Sequence, residues 1–107
     1  MWREDRRIIF DYHETYQAIC ALCGQRQMPR PWGAAIEAVS VKAGDGKSVV
    51  VTFANAGPGK PPMAEYSWDF LAAALILHCR NSAIPIPKRA AKSVELDAQS
   101  VTLHMTM

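Results

Sequence analysis

Residues 37–53 run Glu-Ala-Val-Ser-Val-Lys-Ala-Gly-Asp-Gly-Lys-Ser-Val-Val-Val-Thr-Phe. Glu37, Val39 and Val41 alternate with Ala38, Ser40 and Lys42, the period of an extended strand. Gly44-Asp45-Gly46 then supplies three residues that tolerate positive φ, the chemistry of a hairpin turn. The return stretch alternates again, with Val49, Val51 and Phe53 against Ser48, Val50 and Thr52. The residue types on both arms are strong β-formers, so this is a β-hairpin.

Working outward, residues 11–23 carry the other periodicity. Asp11 is a helix N-cap and Glu14 stands three residues on, the spacing of a capping box. Tyr12, Tyr16, Ile19, Cys20 and Cys23 fall on one stripe of the helix that follows. Gly24, Pro29 and Pro31 end it somewhere past Cys23. Beyond the hairpin, Asn55 to Glu65 holds Gly57-Pro58-Gly59-Lys60-Pro61-Pro62, read as a connecting loop because proline and glycine at this density oppose a regular element. A second helix is predicted from an N-cap at Ser67, with Asp69 in its first turn. Phe70, Leu71, Leu75, Ile76 and Leu77 make it apolar almost all round, so it is central or covered. It ends before Pro85 and Pro87. A second hairpin follows, with Val94 and Leu96, a turn at Asp97-Ala98-Gln99, then Val101, Leu103 and Met105 alternating with Thr102, His104 and Thr106.

The order is helix-hairpin twice, and the halves align at an offset of 56. Ala18 then meets Ala74, Cys23 meets Cys79, Pro29 meets Pro85, Pro31 meets Pro87, and Ala34-Ala35 meet Ala90-Ala91. Past the first turn the offset is 52, setting Lys47-Ser48-Val49 on Gln99-Ser100-Val101. A repeat found at this level decides architecture. The expectation is an α+β fold: one domain over residues 1–107, made of two αββ units at about 10–56 and 66–107 joined by the 55–65 loop. These form a four-stranded antiparallel sheet with both helices on one face. The open sheet face would carry Ser40, Lys42, Val50, Thr52, Thr102, His104 and Thr106.

Composition excludes several classes. Half of the 107 residues are apolar, 21% are charged and the net charge is +2, a globular balance too even to demand nucleic acid or acidic lipid. The stretch Met1 to Arg7 carries both signs of charge and lacks the apolar segment of a signal peptide. The longest apolar run, Phe70 to Leu77, falls far short of the roughly 20 residues that span a bilayer. Three cysteines without an export signal read as reduced thiols in a cytoplasm.

No motif here carries chemistry on its own. Cys20-Ala-Leu-Cys23-Gly24 has the spacing of half a zinc ribbon, with His78-Cys79 as the other half. Yet Cys20 and Cys23 share an apolar helical stripe, where cysteine acts as a small hydrophobe. His78 and Cys79, adjacent on a helix, point about 100° apart. A thiolate activated by His13, His78 or His104 lacks a local signature. No acidic pair is spaced for acid–base work. Gly57-Pro58-Gly59-Lys60 is not a phosphate loop, since Pro61 and Pro62 lack the N–H groups one needs and no hydroxyl follows the lysine. The expectation is therefore no catalytic, metal or cofactor-binding residue, and no cofactor.

Two surface readings remain. Arg26 and Arg30 after the first helix, and Lys88, Arg89 and Lys92 after the second, form a candidate rim for nucleic acid or another anion, extended by Arg3, Arg6, Arg7, Trp2 and Trp32. The competing account is a solvated rim that suits helix C-termini. Val50, Thr52, Thr102 and His104 form a candidate self-association surface, because that face is drier than a fully wet one. The function expected is a small non-catalytic interaction or regulatory module in the cytoplasm, a homodimer or bound to another protein, and not in a membrane. Nucleic-acid binding through the basic rim is the alternative, and a Cys/His or zinc enzyme the one after it.

Overall fold

The computed structural model describes residues 5–31, 33, 35–44, 46–54, 57–59 and 62–106. Two helices and six strands follow one another as β1 (Asp5–Asp11), α1 (Tyr12–Gln25), β2 (Ala35–Val41), β3 (Ser48–Ala54), β4 (Met63–Ser67), α2 (Trp68–Asn81), β5 (Ala91–Leu96) and β6 (Ser100–Thr106). The class is α+β, with every strand pair antiparallel.

Local chemistry sets the helix starts. The Asp11 carboxylate accepts from the Glu14 N–H at 2.7 Å, and the Glu14 carboxylate accepts from the Asp11 N–H at 3.2 Å. This is the reciprocal capping box that the sequence predicts. The Ser67 hydroxyl accepts from the Phe70 N–H at 3.0 Å. Both helices close on a residue past the last turn with positive φ, Gln27 at 55° and Ala83 at 58°. In each, the next N–H returns to the buried cysteine's carbonyl: Met28 to Cys23 and Ile84 to Cys79, both at 2.8 Å.

The single four-stranded sheet is not what forms. The strands make two three-stranded sheets, ordered β1-β6-β5 and β2-β3-β4. The reason lies in two strands the hydrophobic pattern does not advertise. Residues 5–11 are charged at Asp5, Arg6 and Arg7, so they read as a solvated end. In fact Arg6, Ile8 and Phe10 face inward while Asp5, Arg7 and Ile9 face out. Met63, Ala64 and Glu65, assigned above to the Pro/Gly loop, begin β4 directly after it. β1 pairs with β6 and β4 with β3, so each hairpin's central strand is already paired on both sides. Neither hairpin then needs the other. Each half also begins with a strand, β-α-β-β rather than α-β-β, and that strand joins the sheet of the opposite half.

β2 departs from simple alternation as well. A bulge between Ile36 and Ala38 leaves Glu37 as the extra residue, so Ile36 and Val39 are buried and Glu37 is not. The drop in offset from 56 to 52 divides between this bulge and a longer β2–β3 turn. In that turn Gly44 and Gly46 take φ of 107° and 65°, which only glycine adopts cheaply.

The helices lie antiparallel. Arg26 at the end of α1 stands over the Phe70 ring in the first turn of α2, 5.6 Å from its centroid. Glu14 near the start of α1 faces His78 near the end of α2 at 4.0 Å. One apolar cluster runs through both helices and both sheets, centred on Ile19, Leu71, Leu75, Val49, Val51, Val101 and Leu103, all 0% exposed. Ala18 and Ala74 are also fully buried. Among the described residues no helix is long and apolar enough to cross a membrane.

Candidate functional site

The four candidate self-association residues do not share a face. Thr102 and His104 point outward from β6, in the sheet β1-β6-β5; Val50 and Thr52 point outward from β3, in the other sheet. The two outer faces are chemically unlike.

On β1-β6-β5 the register aligns Arg7, His104 and Ser93 across the three strands. His104 Nε2 lies 2.6 Å from Asp5 Oδ1 and its Nδ1 lies 3.3 Å from Glu95 Oε1. Arg7 Nε donates to Glu95 Oε1 at 3.2 Å, and Arg7 Nη1 is 3.8 Å from Asp5. Both imidazole nitrogens are thus engaged by carboxylates, which leaves neither for a metal ion or for activating a thiol. The sequence reading names Arg7 only as an extension of the basic rim, and Asp5 and Glu95 not at all. The signal in sequence is the β-forming run Ile8-Ile9-Phe10, whose parity sets Asp5 and Arg7 outward, and the parity of Val94 and Leu96, which does the same for Glu95.

On β2-β3-β4 the matching row is Ala38, Thr52 and Met63, and the next is Ser40, Val50 and Glu65. Met63 is 55% exposed. The ion pair here, Lys42 Nζ to Glu65 Oε1 at 3.1 Å, stands at the margin of the sheet. Apart from the Lys42–Glu65 pair, whose carboxylate residue stands opposite Val50 in the register, this face is small, apolar and hydroxylic.

The basic residues are also divided. Arg26 caps α1 and stacks on Phe70, and Arg30 stands against β3 and β4. Lys88 and Arg89 are exposed in the turn before β5, in the other sheet. Lys92 lies within β5, its Nζ donating to the Ala90 carbonyl at 3.1 Å. Arg3, Trp2 and Trp32 lie outside the described residues, as do Ala34, Asp45, Asn55, Lys60 and Pro61.

The thiols sit on the helix pair. Cys23 and Cys79 are fully buried, Cys20 only partly, and all three are free. Burial pushes the Cys79 thiol up; for Cys23 burial and then the neighbouring Cys20 do the same. Those shifts oppose a thiolate nucleophile. Among the described residues no group of three or more His, Cys, Asp or Glu is placed to hold a metal ion.

Two cavities flank α2 and the α1 exit. One, of about 250 Å³, is lined by Trp68, Asp69, Lys92 and Val94. Its cation is engaged by the Ala90 carbonyl and shares the lining with a carboxylate. The other, of about 190 Å³, lies between the Pro29-Arg30-Pro31 turn and Phe53, Met63 and Tyr66. Tyr66 stacks on Phe70 with centroids 4.9 Å apart, and Tyr16 meets Phe53 edge-on.

No protein-family model, no curated protein and no solved structure matches this chain. The functional reading therefore rests on its own residues.

Proposed function

We propose that the chain is a non-catalytic interaction module that works as a homodimer, with the outer face of β2-β3-β4 as the contact. The observation that carries this is the contrast between the faces. Arg7, His104, Asp5 and Glu95 bind one another across β1-β6-β5, an arrangement that suits water around the single exposed Ile9 of β1. The row on β2-β3-β4 that matches Arg7, His104 and Ser93 holds Met63, Thr52 and Ala38, with Val50 beside them between Ser40 and Glu65, and a sheet face of that kind favours cover. A twofold contact sets the face against its own copy, so an apolar, self-complementary patch is what it requires.

The reading also treats the two halves as copies of one β-α-β-β unit that exchange their first strands. Its support is local geometry at matched positions. Tyr12 donates its hydroxyl to the Ala98 carbonyl at 2.9 Å, and Trp68 its indole N–H to the Gly46 carbonyl at 3.0 Å. Both pairs obey the offsets of 56 and 52, as do Gln27 with Ala83 and the two N-caps. A cytoplasmic location agrees with three free thiols.

Sedimentation at micromolar concentration tests the dimer. The expected species has twice the 11.8 kDa chain mass. Val50→Lys weakens it by about 100-fold or more, because a twofold interface buries the new charge twice and each unpaired buried charge costs several kcal/mol. Thr102→Lys, on the charged face, leaves it intact. A clean 11.8 kDa species in the unsubstituted protein defeats the reading. Retention on nucleic acid that falls steeply with salt points instead to Arg26, Arg30, Lys88, Arg89 and Lys92.

A further inference from the structure

The two α-helix exits are built alike and finished differently. After α2 the chain runs Ile84-Pro85-Ile86-Pro87, and both isoleucines are partly buried against the core. After α1 the matching stretch is Met28-Pro29-Arg30-Pro31. Met28 is 40% exposed and Arg30 is exposed. Where Ile86 packs against the core after α2, Arg30 stands at the matching position after α1, and a cavity of about 190 Å³ lies against it.

The chemistry of that cavity is asymmetric. Phe53 and Tyr66 form aromatic walls, Met63 and the two prolines an aliphatic one, and Arg30 supplies a cation. Among the described residues Arg30 makes no ion pair. Its charge nevertheless reaches the interior: burial raises Tyr16 and Cys23, and Arg30 works against that rise in both. Tyr66, held protonated by burial with a value pushed up to about 12, adds no negative charge and can only repel an anion less than a phenolate would. An apolar cavity of about 150 Å³ holds one benzene-sized group, so this volume takes one ring or branched side chain. An unneutralised guanidinium at its edge selects a carboxylate attached to that group.

We propose that the cavity between Pro29-Arg30-Pro31 and the β3–β4 pair is a binding site for a single apolar group bearing a carboxylate, with the group against Phe53, Met63 and Tyr66 and the carboxylate on Arg30. Two sources offer this chemistry: a free aromatic acid, or an apolar C-terminal residue of a polypeptide. The site shares Met63 with the proposed dimer face; Val50→Lys, outside the cavity lining, separates the two readings, because acid binding is expected to persist in that variant whatever its oligomeric state.

The intact protein is titrated with phenylacetate and with phenylacetamide, its neutral isostere, and followed by NMR at Phe53, Met63 and Tyr66. Saturable shifts are expected for the acid, with the amide up to about fivefold weaker, since an ion pair at an exposed guanidinium contributes about 0.2–1 kcal/mol. Arg30→Gln keeps the cavity and removes the preference for the acid. Arg30→Ile, which places there the side chain of the matching position after α2, removes binding of both. N-acetyl-glycyl-phenylalanine and its C-terminal amide repeat the comparison. Binding about tenfold tighter than phenylacetate assigns the site to a polypeptide C-terminus, and equal or weaker binding to a free acid. The proposal is overturned if the acid gives no saturable shift at these residues, if acid and amide bind alike, or if the acid preference survives Arg30→Gln.

Discussion

Phe10→Ala tests the strand that makes this fold differ from a pair of hairpins. Phe10 lies near the end of β1, 1% exposed, opposite Val101 of β6. Its ring meets His78 of α2 edge-on with centroids 5.8 Å apart. A phenylalanine side chain hides roughly 150–250 Å², and at about 25 cal/mol per Å² its removal from water contributes roughly 4–6 kcal/mol as an upper bound. Measured Phe→Ala losses in cores run about 3–5 kcal/mol once the cavity is included. Against a total stability of about 5–15 kcal/mol that is a large fraction. The melting temperature should fall by about 12–40 °C, at roughly 4–8 °C per kcal/mol for a domain near this size. The assay is urea unfolding at fixed protein concentration, followed by circular dichroism and tryptophan fluorescence. Ile9→Ala is the internal control: its neighbour points outward, 67% exposed, and should change stability by no more than about 0.5 kcal/mol. A loss below about 1 kcal/mol for Phe10→Ala, or equal losses for the two variants, would mean that β1 is not part of the folded sheet.

Two further outcomes follow from buried groups. Thiol reagent at neutral pH should modify Cys20 first and leave Cys23 and Cys79 until the protein unfolds, because both are fully buried and burial raises their thiols; two or three rapidly labelled thiols per chain would contradict the helix packing. Tyr66 should ionise near 12 in the native protein, raised first by burial and then by the charges of Cys23, Cys20 and Tyr16. Its native value lies above its unfolded one, so its stabilising share is complete below the ordinary 10.0 and is lost as pH rises from there to about 12, where only the native state still holds the proton. Ultraviolet phenolate absorbance reads the step, and stability that rises over that interval would refute the assignment.

The interaction surface was half legible. Alternation placed Val50, Thr52, Thr102 and His104 on outward positions, because side-chain direction in a strand depends only on parity. It could not say that Val50 and Thr102 belong to different sheets, since strand partners are chosen by contacts far apart in sequence. Nor could it supply the partners of His104: the carboxylates that hold it come from Asp5 and Glu95, at opposite ends of the chain. The cavity at Arg30 had no sequence signal beyond its matched Pro-x-Pro, because a cavity is defined by what neighbouring elements fail to fill.

Local sequence determined the elements whose cause is local. Capping at Asp11 and Ser67, the helical stripe through Ile19 and Cys23, and both hairpins follow from hydrogen bonds and periodicities within a few residues. Tertiary structure alone decided the sheets. β1 opens on the charges of Asp5, Arg6 and Arg7, and β4 is five residues long and follows a proline, so neither is marked by an alternating apolar pattern. They become strands because β6 and β3 each present an open edge and the inward faces at Ile8, Phe10, Ala64 and Tyr66 complete the cover over the helix pair. That long-range pairing turns two helix-hairpin stretches into two sheets, each completed by a strand from the other half of the chain.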